Sequence, residues 1–169
     1  METSQSIQNR SSCREFSSKE IPSQYIKEIL EAARYAPSPK NRQPWRFVVL
    51  RGEDKKEFVE LISVPQNANM YFSLKSKELK EQDSYNNSYH IIQEADTMVL
   101  VFNCYPSNFA LNEPNTLFDI TNIQSIGAAI QNMLLKATDL GIGSLWMCDI
   151  FSHYNYVITT ILLNNSLQQ

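Results

Sequence analysis

The sequence predicts an α+β fold, and three observations carry that prediction. Helical and strand-like segments interleave without the strict alternation of a doubly wound sheet. One helical signal, from about Leu117 to Leu140, is long and carries an apolar face wide enough for burial on more than one side. Three short runs rich in β-branched, aromatic and aliphatic residues, Trp45 to Leu50, Thr97 to Cys104 and Leu145 to Cys148, have the length and make-up of buried strands.

Taken in order, the first dozen residues are polar, with Ile7 as the only apolar anchor. A helix is expected from Pro22, since proline suits a first helical turn, with Ile26, Ile29, Leu30 and Ala33 recurring on one face. It must stop near Ala36, because Pro37, Pro39 and Pro44 each disfavour helix at the residue before them. The stretch between them reads as a stiff, extended loop. Gly52 ends the first strand, and Glu53 to Ile62 reads as a second helix. From Val64 to Tyr89 the pattern weakens into a surface excursion, and Pro106 to Pro114 reads as a loop. In the long helix, Ile120, Ile123, Ile126, Gly127, Ile130, Met133, Leu134, Ala137 and Leu140 share the broad face, and Gly127, Ala128 and Ala129 allow close approach by another helix. Gly141-Ile142-Gly143 stops it. A last helix is expected from about Ser152 to Asn164.

The 169 residues suit a single domain, 1–169, long enough to bury a core without disulfides or a structural metal. Hydrophobic residues make up 43% and charged residues 20%, which excludes a disordered, collagen-like or coiled-coil chain. With 15 basic and 18 acidic residues the net charge is −3, against a general nucleic-acid binder, so an anionic ligand must be held by a few placed groups. Cys13, Cys104 and Cys148 form no CxxC pair, which suits a reducing, cytoplasmic setting and no metal. No apolar run approaches the length of a membrane helix, and Met1 to Arg14 lacks the apolar region of a signal peptide.

Three segments are candidates for chemistry. In Arg10-Ser11-Ser12-Cys13-Arg14, two guanidiniums bracket two hydroxyls, an arrangement that can cradle an anion but equally describes a solvated basic arm. The loop Pro37 to Pro44 offers Ser38, Lys40, Asn41 and Gln43 on a frame stiffened by three prolines. That suits the polar edge of a flat heterocycle, and suits an ordinary helix-to-strand connection as well. Gly141-Ile142-Gly143-Ser144 lacks the third glycine and the strand-before-helix order of a dinucleotide fingerprint. His90 and His153 stand alone, so no constellation supports hydrolysis.

Four stretches, in order, resemble the nitroreductase family of flavin enzymes. They are Arg10-Ser-Ser-Cys-Arg-Glu-Phe16, the segment Ala33 to Phe47 with its APSxxNxQPW pattern, Ser125-Ile-Gly-Ala-Ala-Ile-Gln-Asn132, and Leu140-Gly-Ile-Gly-Ser-Leu-Trp146. The resemblance implies a nitroreductase-like fold: a central mixed or antiparallel sheet flanked by helices, with the long helix buried at a homodimer interface. It implies one FMN at each of two interface sites, and NADH or NADPH as co-substrate. Arg10 and Ser12, with Ser11 between them, would hold the phosphate, and Arg14 would lie near the pyrimidine edge of the ring, where its charge favours the reduced form. Pro37, Ser38, Pro39, Lys40, Asn41 and Gln43 would lie along the ring, and backbone around Trp146, Met147 and Cys148 would approach its other side. Hydride would pass from the nicotinamide to the flavin and then to a nitroaromatic, quinone or similar small acceptor in the same pocket, a ping-pong scheme that needs no catalytic side chain. Family members usually continue through a further strand and a C-terminal arm bearing a basic residue, whereas here no Arg or Lys follows Lys136. The expectation is therefore that this strand and arm are missing, and the alternative reading is a non-catalytic or weakly active FMN-binding homodimer.

Overall fold

A computed structural model of the chain describes residues 2–17, 19–63, 90–105, 117–147 and 157–165. Helix α1 (Thr3–Asn9) is followed by an extended arm, then α2 (Ser23–Arg34), a 3-10 turn (Pro39–Asn41), β1 (Trp45–Arg51) and α3 (Gly52–Ser63). Residues 90–94 are helical and lead into β2 (Thr97–Asn103). The long helix α4 (Leu117–Asp139), β3 (Ile142–Met147) and β4 (Val157–Asn165) complete the order. The expectations for Val64–Tyr89 and Pro106–Pro114 lie outside the described residues, as does that for His153.

The sheet runs β1-β2-β4-β3, and every neighbouring pair is antiparallel. Strand β2 is buried on both faces, and its alternation divides the interior. Val99 and Val101 join Ile26, Ile29, Ala33, Ile126, Ile130 and Met133 under α2 and α4. Met98 and Leu100 join Val59, Ile91, Ile92, Leu145 and Met147 on the opposite face. Helices therefore cover both sides of one antiparallel sheet, in line with the predicted α+β class.

Over its described residues, from Val157, the expected last helix is a strand. Val157, Ile158, Thr159, Thr160 and Ile161 are five β-branched residues in succession, which lose rotamer freedom in a helix and pack well on a pleated surface. The segment enters the interior of the sheet, with Val99 opposite Ile161 on one side and Leu145 opposite Leu162 on the other. At the chain's start the pattern gives no sign of α1, whose stretch TSQSIQN has no apolar stripe. Its one buried residue is Ser6, while Ile7 is 56% exposed. Strand β3 begins at Ile142, so Ile142 and Gly143 belong to the sheet rather than to a helix stop. Gly141 alone makes the stop, at φ +72, a left-handed position that costs a residue with a Cβ about 1–2 kcal/mol.

The broad face read along α4 divides in two. Ile126, Ala129, Ile130, Met133, Leu134 and Ala137 are buried, but Ile120 and Ile123 are 51% and 41% exposed. The helical period instead turns Asp119, Asn122 and Ser125 inward at that end. Helix α4 packs on α2, where the Asn132 side-chain amide donates to the Ala32 carbonyl at 3.1 Å. Lys136 joins the two helices by pairing with Asp139 at 3.0 Å and Glu28 at 3.3 Å. These partners raise the lysine's pKa, the Asp139 hydrogen bond most of all.

Two connections hold the extended arm in place. At its start the Cys13 N–H donates to the Ser144 carbonyl at 3.0 Å, and Ser12 bridges Ser144 in parallel, so the arm lies along the edge of β3. At its end Arg51 donates to the Ile21 carbonyl at 2.9 Å and pairs with Asp96 at 2.9 Å, while Asp96 accepts from the Ile21 N–H. Both backbone groups of Ile21 are thereby satisfied just before α2 begins. Below this clasp the buried Lys55 donates to the Gln93 and Ala95 carbonyls, and burial lowers its pKa against the opposing pull of Asp96.

Candidate functional site

The edge pairing opens a cleft of about 550 Å³ between the arm and the start of β3. Ser11, Ser12, Cys13, Arg14 and Glu15 form one wall. Thr138 of α4 and Gly141 to Ser144 form the other. A sheet-edge bond is what makes this a site rather than a loose tail, because with the backbone at Cys13 fixed, its neighbours' side chains project from a defined line. Cys13 itself is half-buried and its Sγ donates to the Glu15 carbonyl at 3.0 Å. The cleft lies at the C-terminal end of α4, the negative end of the helix dipole, so an anion there depends on the arm's guanidiniums.

Of the predicted residues, the structure brings Ser11, Ser12 and Arg14 together in this cleft. Arg10 is half-buried at the end of α1, beside that wall, and its N–H closes the helix on the Ser6 carbonyl at 3.0 Å. Trp146 and Met147 lie farther along β3. The alternation of the strand turns Leu145 and Met147 into the core and leaves Trp146 39% exposed, so Met147 could meet a ligand only through its backbone. Cys148 lies outside the described residues. Sequence reasoning missed Thr138, Gly143 and Ser144 as cleft residues. The signal was present in Gly-Ile-Gly-Ser, which fails as a dinucleotide fingerprint but supplies a floor of small residues.

The proline loop is a second, separate constellation, since none of Pro37 to Gln43 lines that cleft. Lys40, Asn41 and Gln43 have φ of 54, 52 and 49, the non-glycine residues in the left-handed region among those described. Each such residue costs of order 1–3 kcal/mol, so the surroundings must over-determine the loop. Its own groups do much of this. The Gln43 N–H donates to Ser38 Oγ at 3.0 Å, the Gln43 amide to Asn41 Oδ1 at 3.0 Å, and the Asn41 N–H to the Ser38 carbonyl at 2.9 Å. Part of the hydrogen-bonding capacity expected to face a ligand is thus used internally. Among the described residues, nothing takes up the Ser38 hydroxyl hydrogen, the Asn41 amide hydrogens or the Lys40 ammonium.

The Nitroreductase family model matches residues 7–163. The chain belongs to the nitroreductase family. It is 31% identical over 140 residues to YfhC of Bacillus subtilis, a protein provisionally named an NAD(P)H nitroreductase, covering 83% of this chain and 66% of that one. It is 32% identical over 142 residues to an Archaeoglobus fulgidus protein provisionally named an NADH dehydrogenase/NAD(P)H nitroreductase, covering 83% and 64%. The chain thus spans just under two thirds of the length of these curated relatives. Among solved structures, a provisionally named nitroreductase of Desulfovibrio desulfuricans in complex with FMN superposes with a TM-score of 0.70 at 24% identity, over 98% of this chain and 87% of that one. The FMN-dependent nitroreductase NfnB of Mycobacterium smegmatis, in complex with NADPH, superposes at 0.70 and 17% identity, over 96% and 86%. At these identities the structures establish the nitroreductase fold. Among the described residues, no helix is long and apolar enough to cross a membrane.

Proposed function

We propose that this nitroreductase is an FMN-dependent oxidoreductase that accepts hydride from NADH or NADPH and delivers it to a small acceptor such as a nitroaromatic or quinone. It acts as a homodimer, and the observation that carries the reading is the docked arm. Ser11, Ser12 and Arg14 share one cleft, and a backbone bond to β3 fixes the segment that bears them. The donor set fits a phosphorylated flavin: two guanidiniums and two hydroxyls for an anion, and a stiff polar loop for the edge of a ring. When bound, FMN supplies a hydride carrier that works in two half-reactions, with the nicotinamide leaving before the acceptor enters.

The residues' own work is binding and electrostatics. Arg10 with Ser11 and Ser12 would bind phosphate, each charge-assisted bond contributing about 1.5–3 kcal/mol. Arg14 would place a positive charge beside the ring and favour its electron-rich state. Pro37, Ser38, Pro39, Lys40, Asn41 and Gln43 would meet the ring, and backbone at Trp146 and Met147, with Cys148 beyond, would meet its other side. Because the loop is absent from the cleft wall of its own chain, the arm of one copy and the loop of the other complete the site. The exposed Ile120 and Ile123 on α4, with half-buried Gly127 beside them where a Cβ would meet open space, support α4 as the contact between copies. The names of the curated relatives, and the FMN and NADPH complexes of the structural neighbours, support the cofactor and co-substrate. The test is the visible spectrum of the purified protein before and after anaerobic NADH or NADPH. The reading expects a flavin band that bleaches and returns on adding a nitroaromatic. A retained band that does not bleach would assign the chain a binding role alone.

A further inference from the structure

Away from the cleft, one aromatic ring joins three elements. The Arg42 guanidinium carbon lies 4.2 Å from the centroid of Phe118, in the first turn of α4. Tyr105, two residues past β2, meets the same ring edge-on, with centroids 5.9 Å apart and planes at 87°. Arg42 sits between the left-handed Asn41 and Gln43, yet its own φ of −68 and ψ of −28 are ordinary, so its side-chain contacts carry the information. One guanidinium nitrogen, Nη1, is buried and finds no hydrogen-bond partner among the described residues. A cation taken out of water in this way gains more from an aromatic face than an exposed one does.

The hydrogen bonds described for residues 38–43 close within the loop. They make it stiff but do not attach it to the helix beneath. The Arg42–Phe118 stack makes that attachment, and left-handed residues relax when their surroundings stop over-determining them.

We propose that Phe118 is a positioning residue for the loop Pro37–Pro44, acting through Arg42 to hold Ser38, Lys40 and Asn41 in the conformation that meets the flavin. The last clause rests on the functional reading above; the holding of the loop does not. The test combines Phe118→Leu, Phe118→Tyr, Arg42→Met and the Leu/Met double variant in the full chain. Two readouts are taken: site-resolved trypsin cleavage after Lys40, with cleavage after Lys27 of α2 as the control, and FMN titration.

Phe118→Leu and Arg42→Met are each expected to speed cleavage after Lys40 but not after Lys27. Each should weaken FMN binding about tenfold, the double variant should add no more than about twofold, and Phe118→Tyr, which keeps the ring, should match wild type. Cleavage and affinity both unchanged, cleavage speeded equally at Lys27, or single effects that multiply in the double variant would overturn the proposal. If the wild-type protein takes no FMN, the functional reading fails. Cleavage then decides the holding of the loop alone: faster after Lys40 in both single variants upholds it, and unchanged rates reject it.

Discussion

The arm Arg10–Arg14 and the loop Pro37–Pro44 both carry candidate ligand contacts outside the α-helices and named strands, and they are held by different means. The arm borrows order from elsewhere: one backbone bond to Ser144 and a clasp on Ile21 fix its course, and its serines and Arg14 are left facing a cleft. The loop makes much of its own order, folding Ser38, Asn41 and Gln43 onto one another at the expense of three left-handed residues, and is tied down through Arg42 on Phe118. A side chain that only faces a ligand can be removed with little effect on the fold, whereas one that also holds its loop cannot.

That contrast sets the order of expected effects. Arg10→Ala and Arg14→Ala should have the largest, weakening FMN binding about 10- to 100-fold in a fluorescence titration while leaving the melting temperature near wild type. Arg14→Ala should also lower the flavin midpoint potential, and an unchanged potential would move that residue away from the ring. Gly127→Leu should dissociate the dimer in sedimentation velocity without unfolding the chain, since a Cβ there meets open space within one copy. A variant that stayed dimeric would put the contact elsewhere. Gly141→Ala should cost about 1–2 kcal/mol in urea unfolding, because its φ of +72 sets a Cβ against its own backbone although no other group lies near it.

Ser38→Ala, which removes the acceptor of the Gln43 N–H, should cost about 1 kcal/mol of stability as well as some affinity. If it weakened FMN binding and left urea unfolding untouched, the contrast between arm and loop would be wrong. The smallest effect belongs to Lys40→Gly. Relief of the left-handed strain and the entropy of an added glycine nearly cancel, leaving stability within about 1 kcal/mol of wild type.

The parts of the fold legible in the sequence are those where pattern and environment agree. The 3.6-residue stripe of α2, the β-branched run of β2 and the long α4 each advertise the surface they bury. Strand β4 reads as a helix because an apolar run in the interior of a sheet carries no alternation to separate it from one, and only its succession of β-branched residues argues for a strand. The short α1 was invisible because it buries a serine. At the site, Arg10 to Arg14 and the proline loop stood out through residue type. Thr138, Gly143 and Ser144 did not, since a cleft floor is defined by what the arm leaves uncovered. The Arg42–Phe118 stack was equally hidden, because its two residues lie far apart in sequence and either is unremarkable alone.

The central claim is that a flavin is held between two copies of this chain. Sedimentation velocity of the FMN-loaded protein, followed at a visible flavin wavelength, tests it most directly. The yellow boundary is expected to travel with the dimer at one flavin per chain. Flavin sedimenting with a single chain, or a dimer that sediments colourless in excess FMN, would contradict it.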